Sequence, residues 1–370
     1  MKLPITNAFV CVASKLIEQN SYISAIDYSD ATSQLCIIIP SGLRVIDCHG
    51  LQVTKKLTVN SKNVRLTELK FADENSVMAC SSDGFLRLWD LREPDRVSLE
   101  MSSTTDPAAE LKPLLSCDVN LEGTVACAGS ETLKEDAFIL FWDLRNTRKL
   151  MGGYWDTHSK DVTQVRFHPS AKSFLLTGGV DGLVNVFDID EACEDDALLY
   201  TLNAECAVSS VSWLKRTALD VDRLAIVTSE EEFQWWEADD AEPKFRRTRE
   251  KLVEGNAGDN KIVVDHLVGM VTFDDGLSTL VSSSNDGKVE LWTEAGVHLA
   301  SLAASHHDLV RAAVAGRDET GQQKSLWTAG EDGIVCYWKE GAQCAGVAAK
   351  DFKAGSSIKT KSKLHKAKPY

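Results

Sequence analysis

Two groups of residues hold the side chains that acyl transfer needs. His158, Thr177 and Asp181 form one; His306, Thr328, Asp332 and Trp338 form the other. A hydroxyl, an imidazole and a carboxylate are the parts of a nucleophilic triad. Their spacing, however, repeats. In both groups the hydroxyl stands four residues before the Asp, and a valine (Val162, Val310) stands four after the His. A constellation that recurs in register along a chain belongs to a repeating architecture, so both groups read as structural and no catalytic residue is assigned. The chain lacks GxGxxG, P-loop, GxSxG and HExxH motifs, and enzymatic activity is not expected. The ten cysteines are dispersed, without CxxC or Cys/His zinc spacing, so neither a metal nor a cofactor is expected. Several lie in apolar runs such as QLCIIIP, VMACSS and TVACAG, and read as buried reduced thiols.

The elements that position these residues recur seven times. A turn followed by alternating apolar residues occurs at SGLRVID (41–47), SDGFLRLWD (82–90), EDAFILFWD (135–143) and VDGLVNVFD (180–188). It returns at EEEFQWWE (230–237), NDGKVELWT (285–293) and EDGIVCYWK (331–339). The anchors Ile46, Trp89, Trp142, Phe187, Trp236, Trp292 and Trp338 are about 49 residues apart on average. Asp-Gly predicts a two-residue hairpin turn, because Gly tolerates positive φ. Alternation predicts a strand after it, with Leu86 and Leu88 on one face and Phe85, Arg87 and Trp89 on the other. Upstream runs such as SFLLTGG and VTQVRF supply two more strands per unit, and one after the anchor makes four. A four-stranded antiparallel blade cannot bury both faces alone, so the units must stack around an axis.

The pattern resembles the WD-repeat β-propeller family over residues 9–345. It implies an all-β fold, a single seven-bladed propeller spanning 1–349, followed by a flexible lysine-rich tail at 350–370. The segment from ACAGSETLKEDAFILFWDLR to VDGLVNVFDID is similar to the WD repeat-containing protein 89 family. The resemblance implies that FVCVAS (9–14) closes the ring beside the strand ending at Trp338. It implies that His158, Thr177 and Asp181, and likewise His306, Thr328, Asp332 and Trp338, form buried hydrogen-bond relays within their blades. Blade four replaces the indole by Phe187, blade two has Ala79 at the hydroxyl position, blade five has Glu230–Glu232 at the turn, and His266 of blade six stands two residues out of register.

The same resemblance places candidate partner contacts on one face: Arg65, Thr67 and Ser82; Asp161, Thr163 and Val180; Leu309, Arg311 and Glu331. Arg65 and Arg311 have the chemistry to grip a carboxylate. The Trp-Asp-Leu-Arg endings with Arg92 and Arg145 are similar to a box in propeller substrate receptors of cullin-RING ubiquitin ligases. They suggest a ligase adaptor as an alternative partner, set against pairing of each Arg with a neighbouring Asp. Residues 237–262 read as a long irregular mixed-charge loop projecting from the rim.

Composition bounds the function. The chain has 370 residues, 44% hydrophobic, with a net charge of −15. Residues 350–370 carry seven lysines and one acid, a net +6, leaving −21 on the rest. An acidic body argues against nucleic-acid binding except weakly through the tail. No apolar run reaches membrane-spanning length, so no membrane is expected as a partner. The chain reads as an intracellular, non-catalytic scaffold for other proteins, nuclear or nucleolar if the basic tail acts as a targeting segment.

Overall fold

In the computed structural model the repeat becomes seven antiparallel four-stranded sheets arranged as a β-propeller. The structure describes residues 9–341 apart from 60–62, 107, 146–149, 192, 216–220, 256–261, 274, 303–304, 319 and 322. The lysine-rich tail lies outside the described residues. Blade four shows the plan. Its strands Val162–Phe167, Phe174–Gly179, Leu183–Asp188 and Leu198–Asn203 run from the ring's centre to its rim. Six blades are continuous in sequence. In the seventh, the outermost strand is Phe9–Leu16, antiparallel to Ile334–Glu340 with Cys11 opposite Trp338.

Seven apolar cores lie between consecutive blades. Ile38, Leu43 and Val45 of blade one meet Leu69, Val77 and Trp89 of blade two. Trp327 and Tyr337 of blade seven meet Leu35 and Ile37 of blade one, so one core spans the point of closure. Burying each such side chain stabilises the ring by about 1.5–3 kcal/mol. Because every blade is covered on both sides, the second strands are continuous buried runs, such as Ser76–Ser81, rather than alternating ones.

The turn differs from the two-residue form that Asp-Gly suggested. Ser82–Gly84, Val180–Gly182 and Glu331–Gly333 are three-residue connections. The glycine closes each one: Gly84, Gly182 and Gly333 have φ of +82°, +80° and +70°. Their N–H groups donate to Ser81, Gly179 and Gly330 carbonyls at 3.1, 3.2 and 3.1 Å. This is a turn with a left-handed residue at its end, and the preceding Asp points back at the blade. Blade five uses Glu231 at the left-handed position, with φ of 57°.

The described part of the stretch 237–262, residues 237–255 and 262, holds more regular structure than expected. It contains the rim strand Phe245–Thr248 and a helix, Arg249–Glu254, whose N-cap Thr248 accepts from the Lys251 N–H. Its charges account for this: Arg246 bridges Glu232 at 2.6 Å and Glu205 at 2.8 Å, fixing the strand to blade five and the loop before it.

Candidate functional site

The two triad-like groups are hydrogen-bonded chains inside blades. In blade seven the Trp338 indole N–H donates to Thr328 Oγ1 at 2.9 Å, and the Thr328 hydroxyl donates to His306 Nε2 at 2.8 Å. His306 Nδ1–H donates to Asp332 Oδ2 at 3.1 Å, the tautomer set by these partners. Asp332 also accepts from the N–H groups of His307 and Ile334 at 2.9 and 3.0 Å. Blade four repeats this with His158 Nε2 2.8 Å from Thr177 Oγ1 and Nδ1 3.2 Å from Asp181. Asn185 stands where the indole is missing, 3.2 Å from His158 Nε2, and its carbonyl accepts from Thr201 at 2.8 Å. Thr177 and Thr328 are both 0% exposed, so no carbonyl can reach either hydroxyl. These chains satisfy buried polar groups and tie the entry loop, the second strand and the turn of a blade together.

Other blades solve the same problem differently. In blade two, Arg87 is buried and forks onto Asp83 at 2.9 and 2.6 Å, with Glu100 at 2.7 Å on its Nε. Trp89 Nε1 is buried without a partner, because Ala79, two residues along the strand from its register partner Val77, offers no hydroxyl. In blade five the Trp236 indole donates to Gln234 Oε1 at 3.0 Å. His266 serves the neighbouring blade: its Nδ1 meets Glu231 Oε1 at 2.8 Å, and the Leu267 N–H donates to Glu231 Oε2 at 2.6 Å. Two residues before the anchor, five blades bury a polar side chain: Arg44, Arg87, Asn185, Gln234 and Glu290. The signal was present in the alternating strands LRVI, LRLW, VNVF, FQWW and VELW.

The ring's centre holds a second network that the sequence reading did not single out. The inner strands contribute Asp27, Glu68, Lys70, Asp118 and Arg166 to a cavity of about 1020 Å³. Asp27, Glu68 and Asp118 accept the N–H of Phe71, Cys117 and Phe167 at 2.8, 3.3 and 2.8 Å. Each carboxylate therefore pins its blade to the next, from blade one to blade four. Arg166 forks onto Glu68 at 2.6 and 3.1 Å. Burial pushes the Asp118 carboxyl up against the opposing pull of Lys70 and Arg166. Period-two placement of polar residues in LTELKF (Glu68, Lys70) and VTQVRF (Gln164, Arg166) was the sequence signal.

The residues expected on one face are joined in pairs by backbone hydrogen bonds. The N–H groups of Ser82, Val180 and Glu331 donate to the carbonyls of Arg65, Asp161 and Leu309, each at 2.9 Å. Most of the candidate side chains there are engaged. Thr67 and Thr163 donate to Leu114 and Val208 carbonyls of the next blade at 2.8 and 2.6 Å. Asp161 accepts from the Thr132 N–H and hydroxyl at 2.8 and 2.7 Å. Arg311 is bound to Glu331 at 2.7 and 2.6 Å. Away from this face, Arg92 forks onto Asp90 at 2.9 and 2.7 Å and Arg145 onto Asp143 at 3.0 and 3.0 Å. Among the described arginines, Arg65 alone has a guanidinium without a hydrogen bond, ion pair or ring partner. It lines a groove of about 760 Å³ between blades one and two, walled by Tyr22, Pro40, Val59 and Val64.

Comparison with known proteins agrees with this architecture. The family described as "WD domain, G-beta repeat" matches residues 51–90 and 151–188. The chain carries WD repeats. It is 31% identical over 147 residues to an uncharacterised WD repeat-containing protein of Schizosaccharomyces pombe, covering 38% of this chain and 43% of that one. It is 28% identical over 149 residues to the WD repeat-containing protein 89 homolog of Dictyostelium discoideum, covering 40% and 37%. With the WD repeat-containing protein GTS1 of Arabidopsis thaliana it shares 28% over 280 residues, covering 72% and 67%. The chain thus spans less than half the length of the first two relatives. The fold places this WD-repeat propeller among proteins that generally bind other proteins and are typically non-catalytic.

The relay makes stability depend on pH. At Asp332, burial acts to raise the carboxyl, and the hydrogen bonds from His306 and the backbone donors outweigh it, holding it below its ordinary value. Asp181 is lowered in the same way. A depressed folded value means that stabilisation is fully present above the unfolded carboxylate value, about 3.9, and is lost as pH falls through the lower folded value. Asp332→Asn is expected to lower the thermal midpoint at pH 7 and to show a shallower acid decline than the wild type. Parallel midpoint curves from pH 7 to pH 2.5 would count against it. A second comparison isolates the indole bond. Trp338→Phe and Trp89→Phe remove similar volume, but only Trp338 has an indole partner. Trp338→Phe should cost about 1 kcal/mol more in denaturant unfolding, and equal losses would remove the relay's energetic role.

Proposed function

We propose that this propeller is a protein-interaction scaffold that engages a partner through the groove at Arg65. The observation that carries this reading is the unpaired guanidinium. Every other described arginine meets an acid, a carbonyl, a ring or another partner within the fold, whereas Arg65 faces an open groove with apolar walls. A free guanidinium beside Tyr22, Val59 and Val64 suits a partner segment that offers a carboxylate next to an apolar side chain. Bidentate pairing supplies orientation and the walls supply buried area. The inter-blade cores keep the groove rigid, which limits the ordering cost of binding. Affinity capture with mass spectrometry tests this. Arg65→Glu should lose a set of co-purifying proteins that Arg311→Ala retains, at unchanged thermal midpoint. Identical captures from the two variants would reject the Arg65 groove as the binding site.

The basic tail supports a nuclear setting for this scaffold, because seven lysines within 350–370 suit recognition by an import receptor. A fluorescent fusion ending after Ala349 should lose nuclear signal relative to the full chain. An unchanged distribution would sink the targeting role.

A further inference from the structure

A second surface lies at the rim between blades three and four, away from the Arg65 groove. Trp155 is 50% exposed just beyond the rim strand Leu150–Tyr154. Met151 of that strand is 59% exposed, and Leu199 of blade four's rim strand is 40% exposed. Their chain neighbours bring these residues together. Tyr154 and Leu198 pack in one core, and the Tyr154 ring lies 5.2 Å from Phe187, opposite Leu198. Where Tyr154 and Leu198 turn inward, Trp155 and Leu199 turn outward.

The backbone that carries the indole is also held in place. The Glu194 carboxylate accepts the N–H groups of Trp155, Asp156 and Thr157 at 2.8, 3.1 and 3.0 Å. The Tyr154 hydroxyl donates to the Glu191 carbonyl at 3.3 Å. A long apolar side chain on a clamped backbone loses little conformational freedom on binding. Trp and Tyr are the side chains that most often dominate interfaces, and an apolar patch rimmed by charge marks an interaction surface. Around the patch, Asp156, Glu191, Asp195 and Asp196 are exposed and form no ion pair among the described residues. Lys160 is the one base in the same loop.

We propose that this rim patch docks a partner segment in which an apolar side chain is flanked by lysine or arginine. The apolar residue covers Trp155 and Leu199, and the flanking cations meet Asp156, Glu191, Asp195 and Asp196. The surface is distinct from the Arg65 groove, which suits the opposite charge, so the scaffold holds two partners of complementary chemistry at separate places.

Fluorescence polarisation on the full chain tests this with a labelled peptide, Gly-Lys-Arg-Leu-Phe-Lys-Arg-Gly. A control peptide replaces Leu-Phe by Ser-Ser. The first peptide should bind, and the control should bind at least ~5-fold more weakly. Trp155→Ala should weaken the first peptide by about 10-fold or more, as truncation of a central aromatic does. Asp195→Asn with Asp196→Asn should weaken it a few-fold and flatten its salt dependence. Arg65→Glu should leave it unchanged, which separates this surface from the groove. Thermal midpoints of the variants establish folding, and Trp155→Tyr should retain most of the binding. Equal binding of both peptides, or unaltered binding by Trp155→Ala, overturns the proposal. So does a sedimentation-detected dimer that Trp155→Ala abolishes, because a second copy would then be the occupant.

Discussion

The pairing of Phe9–Leu16 with Ile334–Glu340 is the constraint on which the rest of the ring depends. Each blade is a sheet with two apolar faces, and each apolar core belongs to two blades rather than one. An open row of blades would leave two such faces in water. Closure covers them by placing Trp327 and Tyr337 against Leu35 and Ile37. The ladder that closes the ring joins residues more than three hundred positions apart, so both ends of the repeat array are needed for the first and last blades to be fully covered.

Within that ring the blades differ in how they satisfy their buried polar groups. Blades four and seven use a histidine, a threonine and an aspartate. Blade two uses Arg87 on Asp83 and Glu100, and blade five uses Gln234 while Glu231 reaches to His266 of blade six. The physical requirement is common: strands packed on both faces leave no water for a polar side chain, so most find a partner in the fold and Trp89 Nε1 is an exception. The centre adds another set of ties, because Asp27, Glu68 and Asp118 stitch blades one to four through backbone N–H groups. The groove at Arg65 and the rim at Trp155 are held by this frame and use little of it for themselves.

Much of the architecture was legible along the chain. The seven anchors and the four strands per unit follow from turn signals and alternation, which are local, while the closing strand 9–14 followed from the family resemblance. The relay residues were legible because they recur in register. The three-residue turn was missed because Asp-Gly also suits a shorter one, and only the strand pairing shows where the glycine falls. The order in 237–262 was missed because mixed charge reads as solvated loop until Arg246 is seen between Glu232 and Glu205. His266 looked out of register because its partner belongs to the previous blade.

By itself the sequence determined how many blades form and which residues lie inside each blade, because these depend on spacing within about fifty residues. Only the tertiary structure decided which surface side chains are free. Arg65, Arg92, Arg145 and Arg311 are the same residue type at comparably exposed positions. Three meet a carboxylate within the fold and one does not. The exposed Trp155 is likewise set by a carboxylate, Glu194, that stands 39 residues away in sequence. Arg92 and Arg145 meet an Asp two residues back in the chain, but whether Arg311 and Arg65 are paired depends on groups that strand pairing brings near, and no local pattern encodes that distance.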